Sequence, residues 1–340
     1  MLSWDYHALY FNVSFILQKM NALISILIPI YKVEKYIERC LHSVLGQTYD
    51  NIEYIFIDDC SPDKSMRILE EVVKQYPDKR NFVKVISHTE NKGIAQTRNE
   101  LLGIAKGEYC IFIDSDDFIE LNTMEILYNK ARETDAEIIR YNYYENYGEG
   151  KYIVVKNEEA QNREQLLKIA ISSLSGVDSM WKLFVKRSLY VDYCLSFENG
   201  INACEDYIMS VKLFYFSKNT IDILDVLYYY TVVGNFDSCT KNYELFLDDR
   251  MKAIASVKNF LEQEGILSEY ASALYARIII CKQAYLINKD CFDLHRYYSL
   301  YPEANKAWRK FNYGKRERLL FVLAEHKMSL LIRLFYWLFS

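Results

Sequence analysis

The sequence lacks the short motifs that mark several large classes of protein. Its eight cysteines include no C-x-x-C pair and its five histidines form no H-E-x-x-H, so the common zinc motifs are excluded. It contains neither G-x-G-x-x-G nor G-x-x-x-x-G-K-[ST], so a nucleotide would not be held by a glycine-rich phosphate loop. The net charge of -5 argues against a general nucleic-acid-binding protein, and we expect no nucleic-acid partner.

The first residues also lack the pattern of a signal peptide. They carry Asp5, and no basic segment precedes a clean apolar core. We interpret residues 1–19 as an N-terminal extension, not necessarily native, with Met20 as the true start. The cysteines lie largely in apolar runs, which predicts reduced, buried thiols and therefore a cytoplasmic protein. Examples are Cys40, Cys110 and Cys281.

The chain does contain a regular alternation of strand and helix patterns over its first 143 residues. Five apolar runs predict strands, and segments with helical spacing of apolar residues separate them. A serine followed by proline, Ser61–Pro62, predicts the start of the second helix. The predicted strands are 23–30, 52–57, 82–86, 109–113 and 136–143. This alternation predicts an α/β fold with a mainly parallel sheet flanked by helices.

The fourth predicted strand, 109–113, leads directly into three carboxylates at Asp114, Asp116 and Asp117. Ligands of open α/β sheets bind beyond the carboxyl ends of the strands, and right-handed crossovers place those ends on one edge. We therefore expect Tyr31 and Asp59 to converge with these carboxylates. The carboxylates either hold Mg²⁺ or Mn²⁺ that bridges to substrate phosphates, or form a polar turn that caps the next helix.

Five motifs in order resemble the signature of family-2 glycosyltransferases, which have the GT-A fold and include enzymes of bacterial cell-surface polysaccharide synthesis. The motifs are SILIPIY at 25–31, QTY at 47–49, IDDCSPD at 57–63, NKG…RN at 91–99 and DSDD at 114–117. A single motif would be weak, but five in order are specific. Cys60 departs from the family, which usually has glycine or asparagine there. The resemblance implies inverting transfer of a sugar from a nucleoside-diphosphate sugar, and family habit favours a UDP-sugar.

The resemblance also implies roles for residues on the donor side. Asp59 would accept a hydrogen bond from the base, and Pro29 and Tyr31 would line the base pocket. Lys92 and Arg98 would face the nucleotide or its phosphates, although a solvated Lys92 is an equal alternative.

The three carboxylates after the fourth strand would take different roles. Asp114 would lie near the ribose, and Asp116 would hold Mn²⁺ or Mg²⁺. Asp117 would be a second metal ligand or a helix cap.

Residues 136–240 resemble the acceptor half of the same family. The transfer needs one carboxylate near the acceptor hydroxyl, and neighbouring residues on a helix point about 100° apart, so one of two adjacent acids can face the site. The resemblance implies that the second acid of the Glu-Asp pair, Asp206, is the general base. Glu205, Trp181 and Lys182 are candidate acceptor-site residues. The alternative for the two acids is a charged first helical turn that the helix dipole favours.

The sequence thus divides into a catalytic domain at 20–240 and a helical region at 241–340. In the catalytic domain, 22–135 would bind the nucleotide and 136–240 the acceptor.

The end of the chain is basic and apolar. From residue 306 onward it has eight Lys or Arg and two Glu. The apolar run near the end is too short for a membrane span and is interrupted by Arg333. Residues 315–340 would either contact the inner face of the plasma membrane peripherally or dock on the protein itself.

The sequence therefore predicts a metal-assisted glycosyltransferase that acts on a hydroxyl of a glycan or lipid-linked acceptor. The alternative is a non-catalytic nucleotide-sugar-binding or scaffold protein of the same fold. A phosphohydrolase with an Asp-x-Asp nucleophile is less suitable, because that class has its motif after the first strand.

Overall fold

A computed structural model of the chain describes residues 22–172, 179–233 and 246–339, and for 337–339 the backbone alone. The predicted extension at 1–19 lies outside these residues. The strands are β1 (Ile24–Ile30), β2 (Ile52–Asp58), β3 (Val83–Ser87), β4 (Tyr109–Phe112), β5 (Phe118–Ile119), β6 (Ile138–Asn146), β7 (Tyr152–Val155), β8 (Leu183–Lys186) and β9 (Thr220–Thr231).

The α-helices of the same part of the chain begin and end as follows. They are α1 (Ile37–Leu45), α2 (Ser65–Val73), α3 (Ile94–Ile104), α4 (Thr123–Thr134), α5 (Arg163–Ser172), α6 (Arg187–Asp192), α7 (Glu205–Phe216), α8 (Leu247–Gln263), α9 (Leu267–Lys282), α10 (Ala284–Ile287), α11 (Leu294–Ser299), α12 (Lys315–Glu325) and α13 (Ser329–Phe339). Short 3₁₀ helices span Arg80–Phe82, Met180–Lys182 and Pro302–Lys310.

The strands form one sheet in the order β3-β2-β1-β4-β8-β6-β9-β5, and β7 pairs with β6. Strands β1 to β4 pair in parallel, which confirms the βαβ prediction for this first half of the sheet. In the second half β8 is antiparallel to β4 and β6, and β5 is antiparallel to β9, whereas β6 and β9 are parallel. The α/β prediction is confirmed, with a sheet that is mixed in its second half.

Helices cover both faces of the sheet because successive side chains of a strand point to opposite faces. In β1, Ile26 and Ile28 join a core with α1, α2 and α4, whereas Leu27 joins a second core with α3, α5 and α7. Helices α8 and α9 contribute to that second core as well. The first two helices of the C-terminal region, α8 and α9, are therefore part of the core that packs against one face of the sheet.

The second helix begins at Ser65, so the prediction of a start at Ser61 is wrong. The carboxylate of Asp63 accepts hydrogen bonds from the Ser65 amide at 3.1 Å and from the Ser61 hydroxyl at 2.8 Å. Asp63 also accepts a hydrogen bond from the amide of Glu34 at 2.9 Å. These hydrogen bonds connect the turn after β2 to the loop after β1. The helix therefore begins only after this turn, at Ser65.

The candidate site lies where β1 and β4 separate. Their pairing ends with Leu27 opposite Phe112, and beyond it β1 pairs with β2 alone. Pro29 lies in this last part of β1, where a strand with one neighbour tolerates a missing N–H. The chain order reverses between β1 and β4, and such switch points of α/β sheets bind ligands.

The residues after α9 form a further apolar cluster that includes Trp308, Phe321 and Ile332. Among the described helices, none is both long and apolar enough to cross a membrane. Among the described cysteines, Cys40, Cys110 and Cys281 are buried free thiols as predicted, whereas Cys60 and Cys194 are exposed.

Candidate active site

Arg98, on α3, binds three carboxylates at the switch point. Its Nη2 lies 3.2 Å from Oδ1 of Asp114, and its Nη1 lies 2.7 Å from Oε1 of Glu205 and donates to Asp206 as well. Arg98 is only 3% exposed. The sequence predicted that Arg98 faces the nucleotide or its phosphates, whereas the structure engages both terminal nitrogens of its guanidinium with carboxylates. Arg98 therefore joins the loop after β4 to the start of α7.

The charges of this cluster do not balance, because three carboxylates surround one guanidinium. Burial raises the pKa of Asp206 well above its usual range, and Glu205 and Asp114 raise it further, although Arg98 opposes them. Burial also raises the pKa of Glu205. A carboxylate whose pKa is raised is a better proton acceptor near neutral pH.

Asp206 is the more accessible of the two adjacent acids. Its side chain is 20% exposed, compared with 8% for Glu205. The Met180 amide donates to Oδ2 of Asp206 at 3.1 Å, which fixes the carboxylate. The two side chains therefore differ in access, but both contact Nη1 of Arg98, so the prediction that only one of them can face the site is wrong.

Asp59 lies at the ends of β2 and β3, held by the loop that follows β3. Its Oδ1 accepts from the Lys92 amide at 2.7 Å and lies 2.8 Å from Nδ1 of His88, and its Oδ2 accepts from the Gly93 amide at 2.9 Å. The Lys92 ammonium pairs with Glu100 at 3.0 Å, so Lys92 serves Asp59 through its backbone. Sequence reasoning missed His88 and Glu100. The available signal was a histidine directly after a strand that ends at this edge.

The backbone conformation of that loop favours glycine at position 93. Its φ of +84° is in the region that favours glycine. A Cβ at Gly93 would also lie 2.4 Å from Oδ1 of Asn202. Nearby, Pro29 is buried at the end of β1 and Tyr31 is 41% exposed, so the Tyr31 ring is accessible to a base.

Asp117 has a structural task that the sequence did not predict. Its Oδ2 accepts a hydrogen bond from the Tyr228 hydroxyl at 2.8 Å, and its Oδ1 accepts from the Thr231 amide at 2.6 Å. It is 1% exposed, and burial raises its pKa well above the usual range. The strand β5 follows it rather than a helix. Asp117 therefore connects the loop after β4 to β9 through these hydrogen bonds. This structural role takes the place of the two predicted roles, second metal ligand and helix cap.

Trp181 and Lys182 lie beneath the site rather than on its surface. They are 4% and 3% exposed. The Trp181 ring stacks on Tyr228 at 4.3 Å between centroids, and the Lys182 ammonium lies 4.7 Å from the centre of the Tyr143 ring. Because these side chains are engaged by aromatic rings of β9 and β6, we revise the prediction and assign Trp181 to the support of β9 and Lys182 to the support of β6.

The D-x-D loop is compatible with a divalent metal that binds together with substrate phosphates. Among the described residues, no three or more His, Cys, Asp or Glu are grouped as a metal site. Mg²⁺ commonly takes one or two carboxylates and completes its shell with phosphates and water, so Asp116 meets this requirement. The backbone of the loop is held by Arg39, which lies 3.4 Å from the Asp116 carbonyl and 2.9 Å from the Thr231 hydroxyl.

Comparison with known proteins supports the motif assignment. The model of the family described as glycosyl transferase family 2 matches residues 25–189. Glycosyltransferase GlyG of Streptococcus pneumoniae serotype 4 is 33% identical over 226 residues, which cover 62% of this chain and 71% of that protein. The chain belongs to glycosyl transferase family 2. It is a glycosyltransferase.

This glycosyltransferase also shares its fold with solved structures. S. aureus TarS 1–349 in complex with UDP-GlcNAc matches with a TM-score of 0.62 and 20% identity, over 89% of this chain and 87% of that one. The mannosyltransferase PcManGT from Pyrobaculum calidifontis, in complex with GDP-Man and Mn²⁺, matches with a TM-score of 0.50 and 16% identity, over 94% and 93%. At these identities the likeness concerns the fold, and it confirms the GT-A-like prediction with a helical C-terminal region.

The contacts of Asp117 predict the effect of Tyr228→Phe. The substitution removes one hydrogen-bond donor from a buried carboxylate, and it also removes the oxygen that accepts from the Asp114 amide at 3.2 Å. We expect the free energy of unfolding to fall by about 1–3 kcal/mol. Urea denaturation measures this change.

Tyr229→Phe is the matched control, because the Tyr229 hydroxyl binds Glu120 at a less buried position. We expect the free energy of unfolding of this variant to fall by less than about 1 kcal/mol. A loss for Tyr228→Phe as small as that expected for the control would show that the hydrogen bond to Asp117 contributes little to stability.

Proposed function

We propose that this glycosyltransferase moves a sugar, with inversion, from a UDP-sugar to a hydroxyl of a glycan or lipid-linked acceptor. The observation that carries the proposal is the Arg98 cluster. It holds Asp206, an accessible carboxylate with a raised pKa, beside Asp114 at the end of β4. A donor site and a proton acceptor are thereby brought together.

Asp59 supports a uracil or guanine base. Its Oδ2 accepts one hydrogen bond, from Gly93, and a carboxylate oxygen can accept a second. An imide N–H can supply it, with Pro29 and Tyr31 lining the pocket. The UDP-GlcNAc complex of TarS favours uracil. We assign Asp114 to the ribose, and we assign no phosphate contact to Lys92.

We assign the metal to Asp116, as Mn²⁺ or Mg²⁺. A divalent cation there would neutralise charge on the leaving diphosphate. The Mn²⁺ in the Pyrobaculum mannosyltransferase complex supports this assignment.

In the proposed reaction Asp206 takes the proton of the acceptor hydroxyl. The hydroxyl oxygen bonds to the anomeric carbon on the face opposite the diphosphate, and the bond from that carbon to the diphosphate oxygen breaks. One displacement inverts the configuration, and no covalent enzyme intermediate forms. Glu205 and Arg98 keep Asp206 in position.

Binding of nucleotide sugars tests the donor site. A panel of UDP- and GDP-sugars is measured by thermal unfolding with and without Mn²⁺. We expect one UDP-sugar to stabilise the protein in the presence of metal, by about 2.7 kcal/mol at 100 times its Kd. Asp116→Asn should remove the part of this stabilisation that depends on metal. Asp78→Asn, at an exposed position, should leave the stabilisation unchanged. The proposal fails if no nucleotide stabilises the protein.

The raised pKa of Asp206 predicts a variant phenotype and a pH dependence. Asp206→Asn should lower kcat by about 10²–10⁴-fold and leave the Kd for UDP unchanged, because the base acts on the acceptor. The wild type should lose activity on the acidic side at a pH above the usual Asp range of about 3.9, because the base must be ionised. Initial rates measured over a range of pH values test this loss of activity on the acidic side. Persistent turnover in Asp206→Asn would assign the base elsewhere.

We also propose that α12 and α13 contact an anionic membrane surface, which would suit a lipid-linked acceptor. In α13, Leu330, Leu331 and Leu334 are exposed on the side opposite the buried Ile332. Basic side chains accompany them, and positive charge beside apolar surface suits anionic lipid headgroups. The basic residues are Lys315, Arg316, Arg318, Lys327 and Arg333.

Co-sedimentation with vesicles tests this contact. We expect binding to phosphatidylglycerol vesicles, weaker binding at high salt, and little binding to phosphatidylcholine vesicles. Leu330→Ser with Leu334→Ser should reduce binding. Leu224→Ser is the control, since Leu224 is 83% exposed elsewhere in the protein. If the double variant binds as well as the wild type, α13 is not the contact.

A further inference from the structure

We propose that Arg277, on α9, is a positioning residue for Asp206, because it fixes the start of α7. The proposal rests on the proposed function of Asp206 as the base. Arg277 is 2% exposed. Its guanidinium carbon lies 4.1 Å from the centre of the Tyr207 ring, and its Nη2 lies 3.9 Å from Sγ of Cys204. Arg277 therefore contacts the residues on both sides of the two adjacent acids.

The start of α7 needs support from other elements because of the residue that precedes it. Cys204 has a φ of +70°, a left-handed conformation that residues other than glycine adopt only where their surroundings hold them. Its thiol is a weak hydrogen-bond acceptor at a position where helices commonly have Ser, Thr, Asn or Asp. Asp206 is the second residue of the helix, so a shift of the helix start moves its carboxylate.

The C-terminal helices supply this support through three charged side chains. On α8, Nη1 of Arg250 lies 3.7 Å from Sγ of Cys204, and Oδ2 of Asp249 accepts a hydrogen bond from the Asn202 amide at 3.1 Å. Arg277 is the most buried of the three. The loop that leads into α7 is thus held by helices that follow it in the chain.

The surroundings of Arg277 on α9 are apolar. Leu274 and Ile278, its neighbours on the helix, belong to the core on one face of the sheet. A cation is costly to bury there unless partners compensate, and a planar guanidinium can lie on an aromatic ring while its N–H groups reach other acceptors. Arg98 holds the carboxylates of the acids, whereas Arg277 holds the helix start that carries them. An apolar side chain could not perform this task.

Release of UDP from UDP-GlcNAc and UDP-glucose, with Mn²⁺ present and water as the acceptor, tests the proposal. We expect Arg277→Met to lower kcat by about 10–10²-fold, because a small displacement of a catalytic group is costly. The KM for the donor and the Kd for UDP should stay unchanged. Arg277→Lys, which keeps a cation near the Tyr207 ring, should recover part of the loss in kcat.

Arg163→Met is the matched control. The Arg163 guanidinium, on α5, lies 5.4 Å from the centre of the Tyr215 ring, near the other end of α7. The substitution removes the same kind of contact from the same helix, far from the acids, and kcat should match that of the wild type. Equal losses of kcat in Arg277→Met and Arg163→Met would contradict the proposal.

A double variant shows whether Arg277 acts through Asp206. In the Asp206→Asn background, Arg277→Met should lower kcat no further, because the group that it positions is already absent. A merely structural role would lower kcat in both backgrounds by the same factor, and that result would overturn the proposal. Wild-type turnover in Asp206→Asn alone would instead show that the proposed base is wrong.

Hydrogen exchange gives a readout that does not depend on activity. The Ile208 amide donates to the carbonyl of Cys204 at 3.4 Å, at the start of α7. Arg277→Met should speed exchange of this amide at least about tenfold, whereas Arg163→Met should leave it unchanged. Unchanged exchange in Arg277→Met would overturn the proposal.

The two measurements separate the possible failures. If the wild type releases no UDP from either donor, the proposed function fails for these donors, whereas the exchange rates still decide whether Arg277 fixes the start of α7. If Arg277→Met does not fold, Arg277→Lys carries both measurements. Arg277→Lys with the kcat and the exchange rates of the wild type would then contradict the proposal.

Discussion

The guanidinium of Arg98 holds carboxylates that come from both halves of the sheet. Asp114 ends β4 in the first half, and Glu205 and Asp206 begin α7, which precedes β9 in the second half. A buried charge is stable only when it is paired, and removal of one partner costs about 3–5 kcal/mol. Any shift of one half against the other would separate these charges in a poorly solvated place. The ion-pair cluster thus fixes the spacing between the loop after β4 and the start of α7.

The two sides of the site are built by different means. The surroundings of Asp59 depend largely on backbone groups, since the amides of Lys92 and Gly93 hold its carboxylate. The surroundings of Asp206 depend on side-chain charges, with Arg98 at their centre. Backbone donors have fixed positions and no titration, whereas charged groups respond to pH and to bound ions. A carboxylate held by fixed backbone donors therefore lies near a cluster of side chains whose charges can respond to pH.

The first half of the fold is predictable from the sequence because its information is local. The runs that form β1, β2 and β4 are apolar throughout, and such runs form strands buried on both faces. Asp59 and the carboxylates after β4 lie at the same edge of the sheet because β1, β2 and β4 are parallel. The five motifs then supply the family.

The tasks of individual acids are less predictable because their partners are distant in sequence. Asp117 was misassigned since its donors belong to β9, more than a hundred residues further on. The sequence predicts Arg98 as a phosphate ligand, because no feature near it in the chain indicates that its partners are Glu205 and Asp206. The strand β8, which runs antiparallel to β4, is only four residues long and is not among the strands predicted from the sequence. Local sequence patterns determine where helices and strands form, whereas contacts between distant parts of the chain determine which charged side chains form ion pairs.

The second core has a consequence for synthesis of the protein on the ribosome. Leu27 and Phe112 point to the face of the sheet that α8 and α9 help to cover, and about half of the chain length separates Phe112 from the end of α9. At a synthesis rate of ~5–20 residues per second, that face waits roughly 10–30 s for its complete cover. During this interval the nascent chain exposes apolar surface that can associate with other chains or bind chaperones. The late helices therefore make the first half of the chain dependent on completion of translation.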